Sequence, residues 1–366
     1  MTESVFVNKC FSSDYTEARQ AFLTAGRFAG AEVDSFQNPG TGQGDVRLFT
    51  DVALLGSLQA ENILVLISGT HGVEGFCGSG IQVGLLREGI AGRLGSNTSL
   101  LMIHALNPDG FANLRRCNED NVDLNRNFVD HSGIYPENND YADLAEFLAP
   151  RSFSTTANFF ATLRILWFRL RQGRPRLQQA VTQGQYSHPQ GLFYGGRFDS
   201  WSKRILHKIT ERYLARARRV VVIDFHTGLG PYGSGEVILN GPATDPAYRR
   251  SVAWWGQERV KSTVNRNSVS AHLSGTVDLA FYELLPDAEV TAVGLEFGTL
   301  PPMEVFKALR AENWLHHHGR ADHPAAKNIK QQFLRAFYPD DESWKGRVWE
   351  QGRLVVEQAL ASLNHR

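Results

Sequence analysis

At 366 residues the chain can bury a large α/β core, either as one domain with insertions or as two. Its 38 Lys and Arg are balanced by 38 Asp and Glu, and this zero formal charge argues against a general nucleic-acid role, which needs a basic surface. The three cysteines, Cys10, Cys77 and Cys117, are odd in number and contain no C-x-x-C, which argues against a disulfide framework or a thiolate zinc site.

The N-terminal residues have neither a basic start nor an apolar signal core. No run of about 18 apolar residues occurs. A soluble, cytoplasmic protein with no membrane partner is the expectation. Along the chain, residues 14–29 form an amphipathic helix pattern. Residues 33–37 and 45–55 look like strands around a Gly-rich turn. Residues 62–68 are continuously apolar, the mark of a strand buried on both faces. A helix follows over 78–89, then a second buried strand from Ser99, ended by the turn signal Asn107-Pro-Asp-Gly110. Residues 139–171 read as mostly helical and 173–196 as loop. A basic helix over 200–218 leads into a third buried strand, 219–225. A helix over 247–264, a fourth strand over 289–297 and a broken helical region at about 303–366 complete the chain.

Strands alternating with helices predict a three-layer α/β sandwich with a central mixed, mostly parallel twisted sheet flanked by helices. No internal repeat or low-complexity linker divides the sequence, so a single domain over 1–366 is favoured, with an inserted helical and loop segment at about 130–200.

In open α/β sheets, sites form beyond the carboxyl ends of strands. Four such ends carry polar groups here. The first gives His71 and Glu74, framed by glycines that let backbone and ligand approach closely. The second leads to Arg115, Arg116 and the stretch Val122-Asp-Leu-Asn-Arg-Asn-Phe128. The third gives Asp224 and His226, and the fourth Glu296. Two histidines and a carboxylate are a familiar three-ligand set for catalytic zinc, with one position left open. Asp224 lies two residues before His226, and another carboxylate or a backbone carbonyl could orient the imidazole. His104 lies mid-strand and reads as a core or pocket-wall residue. His316, His317 and His318 fit a helix C-terminal turn. Cys77 could close the metal site, but a small buried residue at a helix start is the better fit.

The ordered set His71-x-x-Glu74, Arg115, Asn125-Arg126, His226 and Glu296 resembles the zinc carboxypeptidase superfamily. That superfamily includes the succinylglutamate desuccinylase and aspartoacylase branch. The wording of Ser68-Gly-Thr-His-Gly-Val-Glu-Gly75 and Gly191-Leu-Phe-Tyr-Gly-Gly196 is similar to a branch of metallopeptidase-like domains of unknown function. The similarity spans roughly residues 48–298. It implies that His71, Glu74 and His226 hold one Zn²⁺, with other divalent ions also accommodated. It implies Glu296 as general base and Arg115 as oxyanion donor, with the adjacent Arg116 as the alternative. It implies that Asn125 and Arg126 grip a substrate carboxylate, a task suited to a planar guanidinium.

The family's tyrosine upstream of the catalytic glutamate is missing from residues 267–278. His272, Tyr282 or Tyr194 could stand in for it. The pocket-floor position falls at Val277, which would select no charge. The arginine- and aromatic-rich helix 157–171 is expected to pack on the sheet, with its arginines reaching solvent, and a lid or wall that narrows the site is the alternative. Its composition also suits a membrane surface, the less favoured alternative. The 186–194 tract is expected to line the pocket. The implied activity is hydrolysis of an amide bond beside a free carboxylate, in a short peptide or an acyl amino acid. N-acyl amino acid deacylation is the alternative within enzymes, and a non-catalytic metal- or carboxylate-binding module is the alternative of another class.

Overall fold

The strands form where apolar runs are bounded by turn residues. The computed structural model describes residues 3–264, 268, 270, 273–319 and 322–364. Its strands are β1 (Glu32–Thr41), β2 (Arg47–Leu55), β3 (Asn62–Ile67), β4 (Thr98–His104), β5 (Arg219–Tyr232), β6 (Gly235–Leu239), β7 (Val260–Ser262) and β8 (Glu289–Gly298). The helices before the fifth strand are α1 (Glu3–Cys10), α2 (Tyr15–Phe28), α3 (Gly75–Arg87), α4 (Pro108–Ala112), α5 (Asn139–Ala142), α6 (Ala145–Leu148), α7 (Thr155–Gln172), α8 (Arg174–Thr182) and α9 (Trp201–Tyr213). Those after it are α10 (Pro246–Trp255), α11 (Val277–Leu284), α12 (Pro302–His317), α13 (Ala326–Phe337) and α14 (Glu342–Asn364).

The strands make one sheet in the order β1-β2-β4-β3-β5-β8-β6-β7. Its centre is parallel: β4 to β3, β3 to β5 and β5 to β8. Antiparallel pairs join β1 to β2, β2 to β4 and β6 to β8, so the sheet is mixed but mostly parallel, as expected. Side chains alternate across a strand, so a strand covered on both faces must be apolar throughout. In β3, Leu64 and Leu66 face a core shared with α2, α3 and α14, while Ile63, Val65 and Ile67 face one shared with α9 and α11. Helices therefore cover both faces.

Three sequence expectations shift. The stretch assigned to a loop contains α8, which starts at Arg174 with Pro175 in its first turn, where a missing N–H breaks no helical bond. The helix expected to reach residue 264 stops at Trp255, where Gly256 takes a φ of 84°, and β7 follows. The helix expected from Gly78 begins at Gly75, directly after Glu74.

The topology locates the crevice. After β3 the chain passes through α3 to β4 on one side, while β5 pairs with β3 on the other. Strand order thus reverses at β3, and the carboxyl ends of β3 and β5 flank the opening. The inserted helices close over it. Tyr141, Leu144, Phe168, Leu192 and Phe193 pack with Val305, Phe333 and Phe337 of α12 and α13, and with Val73. Val73 lies between His71 and Glu74, so the insertion bears directly on their loop. Among the described residues, no helix is long and apolar enough to cross a membrane.

Candidate metal centre

The loop after β3 is held by close backbone contact. A Cβ on Gly72 would lie 2.0 Å from the carbonyl carbon of Gly110 and 2.3 Å from the nitrogen of Phe111, so only glycine fits. The Gly72 and Val73 N–H groups donate to the carbonyls of Arg116 and Arg115 at 3.1 and 2.8 Å. These bonds bring the arginine pair against the His71–Glu74 loop. On the neighbouring strand, Thr227 N–H donates to Glu74 Oε2 at 3.0 Å. One strand further, Glu296 is in register with His226.

His71, Glu74 and His226 are buried together, with one potential ligand atom from each lying within 4.8 Å of the others. His226 Nδ1 is 3.1 Å from Glu74 Oε2. His71 Nδ1 is 3.0 Å from Glu74 Oε1, yet this buried nitrogen makes no hydrogen bond. The opposite edge of each ring meets a carboxylate: His71 Nε2 is 3.2 Å from Asp123 Oδ1 and His226 Nε2 is 2.8 Å from Asp224 Oδ2. Thr70 Oγ1 donates to the other Asp224 oxygen at 2.9 Å. A carboxylate that accepts from Nε2–H leaves the Nδ1 lone pair for a cation. Both Nδ1 atoms turn toward Glu74, so these three residues would hold a divalent ion that takes nitrogen and oxygen ligands.

Electrostatics point the same way. Burial opposes ionisation of Glu74, but His71, His226 and Arg116 outweigh it and hold the carboxyl far below its usual range. Asp123 is likewise held low by Arg116 and His71 against the effect of burial. Burial disfavours the charged form of His226, but Asp224 and Glu74 prevail and raise it well above 6.5. Burial, then the charge of Glu74, pushes Glu296 up to about 8. Its Oε1 accepts from Leu229 N–H at 3.0 Å. Two carboxylates that repel each other beside two imidazoles are relieved by a dication.

The two arginines named as alternatives part company. A buried guanidinium needs partners, and Arg115 finds them away from the cluster: Glu312 at 3.2 Å, the Asn118 carbonyl at 3.2 Å and Asn121 Oδ1 at 2.7 Å. Arg116 faces the cluster instead, 3.0 Å from Glu74 Oε1, 2.9 Å from Asp123 Oδ2 and 2.8 Å from His71 Nε2. Asn125 sits between the site and the core. Its Nδ2 is 3.4 Å from His226 Nε2, and its Oδ1 accepts from Val277 N–H at 2.9 Å. The Arg126 guanidinium grips the carbonyls of Thr182 and Asn125 with three of its N–H groups. Two of its five donors remain.

Val277 opens α11 and is fully buried in the core, and the next residue, Asp278, is partly exposed. Burial, with a contribution from Asp224, pushes Asp278 up to about 6. The Tyr194 carbonyl accepts from Asp123 N–H at 2.8 Å, so this residue supports the site through its backbone. The Tyr282 hydroxyl accepts from Ala292 N–H in the sheet. His272 lies outside the described residues. Cys77 is fully buried in α3. Asp123, which joins His71 to Arg116, was missed from the sequence, although it sits inside the quoted Val122–Phe128 stretch.

Comparison with known proteins adds the following. The model of a family described as "Protein of unknown function (DUF2817)" matches residues 11–351. No curated protein matches. The carboxypeptidase A of Helicoverpa armigera is similar in structure at 12% identity and a TM-score of 0.50, over 96% of this chain and 74% of that one. Thrombin-activatable fibrinolysis inhibitor is similar at 12% identity and a TM-score of 0.52, over 100% and 77%. A succinylglutamate desuccinylase of Chromobacterium violaceum matches at 16% identity and a TM-score of 0.39, over 86% and 72%. The first two likenesses show the carboxypeptidase-like fold.

Proposed function

The chain belongs to the DUF2817 family, and we propose that it is a metal-dependent hydrolase of amide bonds that lie beside a free carboxylate. One observation carries this: buried His71, Glu74 and His226 converge at the reversal point of the sheet, with Glu296 one strand away in register. Two imidazoles and one carboxylate favour zinc. When bound, the ion supplies a Lewis acid and lowers the pKa of water toward neutrality.

The protein's own groups divide the remaining work. Asp224 fixes the tautomer and tilt of His226, and Asp123 with Arg116 holds the His71 ring in place. Glu296 accepts a proton from the attacking water and delivers it to the leaving nitrogen. Arg116, rather than Arg115, is the donor for the developing oxyanion, a role worth about 3 kcal/mol in a water-poor site. The two remaining donors of Arg126 take the substrate carboxylate.

A small acyl amino acid is favoured over a long peptide by the way residues 182–195 wrap Arg126. A Cβ on Gly184 would meet Arg126 Cδ at 2.5 Å, and Tyr186 donates to the Arg126 carbonyl at 2.7 Å. The test combines metal analysis of untagged protein with assays on N-acyl amino acids and on peptides with free or amidated C-termini. The expected result is one divalent ion per chain, hydrolysis of free-carboxylate substrates only, and a Glu296→Gln variant that keeps the ion but loses turnover. Full activity in Glu296→Gln, or no bound ion, would overturn the proposal.

A further inference from the structure

Helix α7 is built inside out. Ser154 caps it by accepting from Ala157 N–H, and Ala161 and Phe168 are its buried residues. Phe168 joins the core formed with α12 and α13. A helix packed this way ordinarily turns polar residues to water. Instead Phe159, Phe160, Leu163, Leu166, Trp167 and Leu170 are all exposed, Phe160 by 64% and Leu170 by 77%. At about 100° per residue these six fall within an arc of about 120°, opposite the buried side. Contiguous exposed apolar surface of this kind marks an interaction site.

The charge around this face is equally one-sided. Residues 151–183 contain six arginines, no lysine and no acidic residue, in a chain whose formal net charge is zero. Arg164 and Arg171 border the apolar arc on one side, and their guanidinium carbons lie 4.6 and 4.3 Å from the Trp167 ring. Arg169 lies on the other side by the same helical count.

We propose that the outward face of α7 seats on an anionic lipid surface, with the helix lying parallel to it. An apolar face with aromatic residues, flanked by cations, matches the boundary between acyl chains and phosphate headgroups. A second copy of this chain would set Arg164, Arg169 and Arg171 of one α7 against the same three of the other. A nucleic acid would satisfy the arginines but leave the apolar face against water. None of the described helices is apolar enough to cross the bilayer, so the contact is peripheral. The proposal is independent of the metal site.

The test is co-sedimentation of the full chain with phosphatidylcholine vesicles, with and without phosphatidylglycerol. Binding is expected only to the anionic vesicles and is expected to weaken with salt. An Arg164→Gln/Arg171→Gln variant should bind about fivefold more weakly per arginine removed. A Leu166→Glu/Leu170→Glu variant should not bind; both positions are exposed, and an unchanged circular dichroism spectrum would establish that it folds. No binding to anionic vesicles, or equal and salt-insensitive binding to neutral ones, would overturn the proposal. So would self-association in vesicle-free sedimentation that the leucine variant abolishes, because the face would then belong to a second copy.

Discussion

Arg115 and Arg116 are adjacent in the chain but point to opposite sides of one loop, Arg115 to Glu312 and Arg116 to Glu74. The two substitutions should therefore fail differently. Arg116→Met should lower kcat by about 10²–10³-fold in protein that remains folded, in addition to the stability lost when buried Glu74 and Asp123 lose its charge. Arg115→Met should leave Glu312 with Lys330 as its remaining salt-bridge partner and cost about 3 kcal/mol of stability. Urea unfolding alongside steady-state kinetics separates them, and the reverse pattern would return the oxyanion role to Arg115.

Metal uptake should release protons and weaken in acid. His226 is raised well above 6.5 and Glu296 up to about 8, so both groups hold protons at neutral pH before a cation arrives. A cation needs the unprotonated ring, and affinity should therefore fall as pH drops from 8 to 6. Titration calorimetry in buffers of different ionisation enthalpy counts the protons, and His226→Ala should abolish uptake. An affinity independent of pH would sink this account of the cluster.

Gly72→Ala should disturb the site without touching a ligand. The new methyl group would meet the Gly110 backbone at 2.0 Å, which has no flexible side chain to yield. A loss of about 3 kcal/mol is expected, together with loss of the bound ion. Thermal unfolding and metal analysis on the same preparation would check it.

His104 should make the fold acid-sensitive. It is fully buried, stacked on Phe22 at 4.5 Å and hydrogen-bonded to Ser79 Oγ at 2.9 Å. Burial lowers its pKa from 6.5 to about 4. The unfolded chain then binds this proton more readily than the folded one. The contribution is fully present above the unfolded pKa and is lost as pH falls through the folded value, about 3 kcal/mol in all. His104→Gln should flatten the dependence of unfolding free energy on pH between these two values.

By itself the sequence determined the buried strands β3, β4, β5 and β8, because a strand covered on both faces must be apolar along its whole length. It also named His71, Glu74 and His226 as a set, since each lies just beyond an apolar run and such positions converge at a reversal of sheet order. Only the tertiary structure decided which arginine faces that set, that Asp123 joins His71 to Arg116, and that Val277 lies in the core. It alone showed that α7 turns its apolar side outward. In both arginine and helix the outcome depends on tertiary contacts: Glu312 draws Arg115 away, Phe168 of α7 joins the core of α12 and α13, and no local periodicity encodes either choice.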